Sequence, residues 1–237
     1  MTKKDAADDD VAAEPVSWRD LAVNRSLDSA RTRAENRVQR FLDAALELMD
    51  GDSKEFTVQE VVERSGQSLR SFYQYFGGKH ELLLALFEES IRSTAAHLRE
   101  QIAQDDDELE RLHRFVVEYY KVCRPAPKAK AAKKALTPTP VLVDFAQQLL
   151  TAHPTEAARA FVPMVTLFEE ILDAAAKAGA IRSSLHRRHV AGVVLEAIMF
   201  NAFAATIAGA SVKADPADAA EELWDLVFHG LVAGSSG

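Results

Sequence analysis

Cysteine is almost absent from this 237-residue chain. Cys123 stands alone, so no disulfide can join two parts of the chain and no cysteine-based zinc site is available. The scarcity suits a reducing compartment, and a cytoplasmic location is expected. Glycine (10 residues) and proline (8 residues) are also sparse, which argues against a fold made of many short strands and turns. No long hydrophobic run is unbroken. The longest, from Val190 to Ala210, is interrupted by Glu196 and Asn201. It reads as a buried helix, and no membrane partner is expected. The opening segment, Met1 to Pro15, lacks the basic and apolar regions of a secretory leader. Positive charge is in deficit: 28 Lys and Arg face 36 Asp and Glu, for a formal net charge of -8. This excludes a protein coated in basic surface, but a net charge does not say where the charges sit.

Helix-forming sequence fills the space those absences leave. Apolar residues make up 48% and charged residues 27%, an ordinary globular balance for one large domain or two modest ones. Alanine, the best helix former, occupies about 40 positions. The expected fold class is all-α. Residues 1–16 are acidic, poor in large apolar side chains and expected to be disordered. Residues 17–40 reverse the sign, with six arginines (Arg19, Arg25, Arg31, Arg33, Arg37, Arg40) against three acids. They read either as an arm that grips DNA phosphate or as a solvated helix end. A 3.6-residue rhythm of Val38, Phe41, Leu42, Ala45 and Met49 then marks a helix, with Gly51 as its expected cap.

Short helices are expected at 58–64 and 69–75. Thr57 and Glu60 form a capping box for the first, and Ser68 caps the second. Longer helices are expected at 79–103, 108–124, 140–152, 154–178, 186–209 and 216–233. Pro163 is expected to bend or break the fourth of these long stretches. Between 125 and 140, four prolines bracket Lys128, Lys130, Lys133 and Lys134. That segment reads as a solvated loop that is free to touch DNA or an acidic partner.

The run from Thr57 to Lys79 carries the chemistry. Two short helices joined by a glycine turn make a helix-turn-helix, whose second helix enters the DNA major groove. Arg70 can donate two hydrogen bonds to guanine O6 and N7. Ser68 and Ser71 can reach phosphates or bases. Tyr73 and Tyr75 can offer hydroxyls to phosphate, and Lys79 opens the next helix, where its charge and the backbone N–H groups favour an anion. Leu69 and Gln74 share this recognition helix. The DNA-binding candidates are therefore Thr57, Ser68, Leu69, Arg70, Ser71, Tyr73, Gln74, Tyr75 and Lys79.

The segment resembles the DNA-binding signature of the tetracycline-repressor-like (TetR) family. It shares Thr57, Gly66, Ser68, Phe72, Tyr73, Tyr75, Phe76, Lys79 and Leu82 with that pattern. It departs from it at Ser65, Gln67 and Gly77-Gly78. The resemblance implies an N-terminal helix-turn-helix domain over 17–83 and a helical effector-binding and dimerisation domain over 84–233, followed by a flexible tail at 234–237. It implies double-stranded operator DNA, a second copy of the chain and a small effector as partners, with no cofactor. The apolar candidates for an effector pocket are Phe115, Tyr119, Phe145, Phe161, Met164, Phe168, Met199 and Phe203, which points to a lipophilic or acyl-type ligand. The last two helices correspond to the dimerisation pair, with Ala197, Ala204, Trp224, Val227 and Phe228 at the interface.

No catalytic constellation is legible, and an enzyme is not expected. His186 and His189 lack a companion cysteine or carboxylate, so no metal set is legible either. Cys123 has no evident histidine partner. The expected function is a homodimeric, ligand-responsive regulator of transcription, acting as a repressor on palindromic DNA. The alternative is a helical lipid- or acyl-binding protein without DNA function.

Overall fold

The computed structural model describes residues 17–49, 55–123, 140–207 and 216–231. Among them every regular element is a helix: α1 (Trp18–Met49), α2 (Val58–Ser65), α3 (Leu69–Tyr75), α4 (Lys79–Ile102), α5 (Glu108–Cys123), α6 (Pro140–Ala152), α7 (Pro154–Lys177), α8 (Arg187–Ile207) and α9 (Pro216–Leu231). The expected tails (1–16, 234–237), the Gly51 cap and the Lys128–Lys134 loop lie outside the described residues.

α1 is longer than its apolar rhythm. Among the described side chains before Val38 all but Ala34 are exposed, and Trp18 is 78% exposed. This stretch stays helical through local pairs, since Arg31 donates to Glu35 one turn on at 2.8 Å and Ala22, Ala30 and Ala34 favour the helix. Only from Phe41 does α1 turn a buried face inward, with Phe41, Leu42, Ala44, Ala45 and Met49. The six arginines therefore ride on a helical extension.

α2 and α3 are too short to persist alone. α2 is held by Val61 and Val62 and by its capping box. Thr57 Oγ1 accepts from the Glu60 N–H at 3.2 Å, and the Thr57 N–H donates back to the Glu60 carboxylate at 2.7 Å. Gly66 ends α2 at φ 64°, a left-handed conformation that favours glycine. α3 is held through Phe72, which is fully buried. Its ring meets Phe41 edge-on at 5.4 Å and lies 5.4 Å from Phe76.

α4 leaves this unit and enters the body, where it packs on α5, α6 and α7. α5 is central and touches α4, α7, α8 and α9. The rings of Phe115 on α5 and Phe168 on α7 stack at 4.5 Å. Pro163 does not break α7, which runs from Pro154 to Lys177. Ala157, Ala160, Met164, Leu167 and Phe168 are buried on both sides of the proline, and this burial outweighs the roughly 3 kcal/mol that an interior proline costs. No described helix is long and apolar enough to cross a membrane.

Replacing Phe72 by Ala removes the anchor of α3. The expected loss is about 3–5 kcal/mol, read as a lowered denaturant midpoint in circular dichroism.

Candidate nucleic-acid interface

α3 divides its side chains between two jobs. Phe72 points inward, while Leu69 (43% exposed) and Tyr73 (57% exposed) point outward, joined by the exposed Arg70 and Gln74. Neither Arg70 nor Gln74 has a partner among the described residues, so all of their donors face solvent. Tyr73 rests its ring edge-on against Phe72 at 5.4 Å, which fixes its direction and leaves its hydroxyl free. Leu69, Arg70, Tyr73 and Gln74 thus make a small surface of one cation, one amide, one phenol and one aliphatic group. Such a surface is able to bond base edges and phosphates and to pack on a thymine methyl.

The other sequence candidates are brought close to this surface but are engaged elsewhere. Ser68 Oγ accepts the Ser71 N–H at 3.1 Å and caps α3. Ser71 Oγ is buried and has no hydrogen-bond partner, so in this conformation it faces the protein. Thr57 Oγ1 donates to the Glu60 carboxylate at 2.8 Å. The Thr57 bonds hold that carboxylate below the usual range for glutamate. Tyr75 is half-buried and packs on the core.

Lys79 closes the unit. Its Nζ donates to the Phe56 carbonyl at 2.6 Å and lies 4.4 Å from the centre of the Phe56 ring. This ties the first turn of α4 to the chain entering α2. Gly78 caps α4 without a side-chain bond. Glu81 compensates by accepting the Gly77 N–H at 2.7 Å.

With this geometry in view, residues 41–86 match the model of the bacterial regulatory proteins, tetR family. The match covers this unit, from the buried end of α1 into α4. The helical architecture is similar over most of the chain to that of solved structures of bacterial regulators. A TetR-family transcriptional regulator from Pectobacterium atrosepticum is 16% identical, with a TM-score of 0.65 over 86% of this chain and 97% of that one. The transcriptional regulator FadR from Bacillus subtilis, in complex with stearoyl-CoA, is 16% identical, with a TM-score of 0.62 over 81% and 98%. Thermus thermophilus FadR, a repressor in complex with lauroyl-CoA, is 21% identical, with a TM-score of 0.59 over 84% and 98%. At these identities the likeness is one of fold. No curated protein matches the chain.

The helical body holds a small cavity of about 40 Å³. α4 lines it with Phe87, Ser90, Ile91 and Thr94, which lie on one helical face, and α5 with Tyr119, Val122 and Cys123. Leu142, Phe161 and Met199 complete the wall. Tyr119, Phe161 and Met199 were expected from the sequence. Phe115, Phe168 and Met164 are instead fully buried core, since the stacked pair of Phe115 and Phe168 leaves no room between α5 and α7. Phe145 packs on Phe87 at 6.3 Å, behind the wall. The side chain of Phe203 lies outside the described residues. The α4 contribution was missed because its apolar spacing is that of any buried helix.

Of the expected interface residues, Ala197 is exposed on α8, and its neighbours one turn away, Val193 (53%) and Phe200 (44%), are exposed as well. Trp224 and Phe228 stack at 5.2 Å on α9, and His113 of α5 covers one edge of Trp224. Val227 is half-buried beside them. The side chain of Ala204 lies outside the described residues.

Burial pushes the Cys123 thiol up to about 12, although the Tyr119 hydroxyl donates toward it. A group this far above neutral pH is almost entirely the unreactive thiol. Ellman's reagent is expected to label Cys123 slowly in the native protein and rapidly after unfolding. Fast native labelling would contradict this burial.

Proposed function

We propose that the protein is a homodimeric, ligand-responsive regulator of transcription that binds palindromic operator DNA through α3 and is released by a lipophilic effector. The observation that carries the reading is the division of labour on α3. Phe72 is locked in the aromatic core, while Arg70 and Gln74 stand free beside Leu69 and Tyr73. A structural helix of seven residues has no need to leave a guanidinium and an amide unpartnered on its exposed face. A recognition helix does, because both groups find partners on base edges.

The exposed face of α8 with Val193, Ala197 and Phe200 supports pairing of two copies, since apolar side chains arranged along one helical face favour a partner surface. A two-fold pair sets two recognition helices about 34–36 Å apart, matching successive major grooves. The cavity supports the effector. Its wall is mainly apolar, with the hydroxyls of Ser90, Thr94 and Tyr119 as polar points. An acyl chain suits that lining better than a sugar does, and acyl-CoA esters occupy the FadR proteins of like fold. The space is small, so an acyl ligand enters by parting α4 from α5 and α7. That displacement moves the first turn of α4, where Lys79 holds the DNA-binding unit. Coupling of about 1–3 kcal/mol alters DNA affinity roughly 5–150-fold. The protein acts as a repressor in this scheme.

Polarisation assays on duplexes selected from a random pool test this directly. A salt-sensitive, sequence-specific complex is expected. In Arg70→Ala, affinity should fall by about 1–3 kcal/mol with relaxed preference at one base position. A uniform loss across sequences would give Arg70 a phosphate role, and no specific complex at all would overturn the function. Added stearoyl-CoA or lauroyl-CoA is expected to release the DNA within the coupling range above, whereas a sugar leaves the complex intact.

A further inference from the structure

Three side chains far apart in sequence converge where α4 meets α7. His80 is the second residue of α4, His153 immediately precedes α7, and Glu156 lies in its first turn. One ligand atom from each lies within 4.8 Å of the others. His80 Nε2 is 2.8 Å from Glu156 Oε2, and the rings of His80 and His153 are 4.7 Å apart. We propose that His80, His153 and Glu156 form a binding site for a divalent transition-metal cation of the zinc class, bridging the first turns of α4 and α7.

The donor set selects that class. Two imidazoles and one carboxylate suit zinc, cobalt or nickel, whereas calcium and magnesium prefer oxygen throughout. Three protein ligands also leave a fourth position for water or a small anion. Ligand atoms around zinc, each at about 2.0–2.2 Å, are separated from one another by about 3–3.5 Å. The His80–Glu156 separation of 2.8 Å is close to that spacing and the other ligand atoms lie within 4.8 Å, so side-chain rotations complete the site.

An ordinary His–Glu ion pair explains only two of the three groups. The His153 imidazole makes no hydrogen bond among the described residues and gives α7 no side-chain cap, yet it lies against His80. The buried Phe145 meets the His80 ring at 5.4 Å and forms an apolar floor under one side. The frame is firm because both helices carry large buried faces. None of the three ligands belongs to α3, and the site exists whether or not the protein reads DNA. Occupancy fixes the first turn of α4, one residue after the Lys79 seat on Phe56, to the helical body.

Full-length protein titrated with Co²⁺ alone, and then with Zn²⁺ in competition, tests the site. One equivalent per chain is expected, with visible absorption from nitrogen-ligated Co²⁺ that Zn²⁺ displaces. His153→Gln and Glu156→Gln are partly exposed substitutions whose helical circular dichroism should match the parent. Each is expected to weaken binding by at least about tenfold, the scale seen when even groups that merely support a ligand are lost. His80→Gln should do the same. No stoichiometric binding, or binding unchanged in His153→Gln and Glu156→Gln, would overturn the site.

Discussion

The burial of Phe72 between Phe41 and Phe76 is the contact on which the exposed face of α3 depends. α3 has seven residues and makes too few internal hydrogen bonds to form alone. Its orientation therefore comes from outside, through one ring held edge-on by α1 and tilted against the residue that caps α3 itself. With Phe72 fixed, helical geometry fixes the rest. Leu69, Arg70, Tyr73 and Gln74 must project from the opposite side. Lys79 completes the frame by bonding the chain that enters α2, so three helices and the start of a fourth share one aromatic core.

The same geometry explains how an acidic protein can present a local face free of acids. The net charge of -8 averages unlike regions. Arginines gather on the exposed extension of α1, and α3 carries Arg70 with no acid. α4 links the two parts of the molecule. Its first turn is clamped by Lys79 to Phe56, and its next turns line the cavity through Phe87, Ser90, Ile91 and Thr94. A displacement of one long helix therefore reaches both regions without any need for a separate relay.

What could be read from the sequence was local. The start of α2 and the bounds of α3 match the expected ones, because Thr57 with Glu60, Gly66 and Ser68 are signals written within a few residues of the ends they set. Phe72 and Phe76 stand four apart, a spacing that puts them on one helical face. Properties that depend on distant partners were not visible. Pro163 carries a local signal to stop, and burial on both sides of it overrides that signal. The inward turn of Ser71 Oγ and the engagement of Lys79 by Phe56 arise from packing rather than residue type. Phe115 and Phe168 looked like pocket residues because an aromatic side chain suits a pocket wall and a stacked core equally well. His80 and Glu156 stand 76 residues apart, and no spacing rule links them.

The claim that the outer face of α3 lies against DNA is open to one direct measurement. A benzophenone amino acid placed at Tyr73, and separately at the exposed Val162 of α7, is irradiated in the presence of a selected duplex under conditions where the complex is saturated. Covalent protein–DNA product from position 73 and none from position 162 is the expected outcome. A saturated complex that yields no product from position 73, or equal product from both positions, would contradict the assignment of α3 as the reading helix.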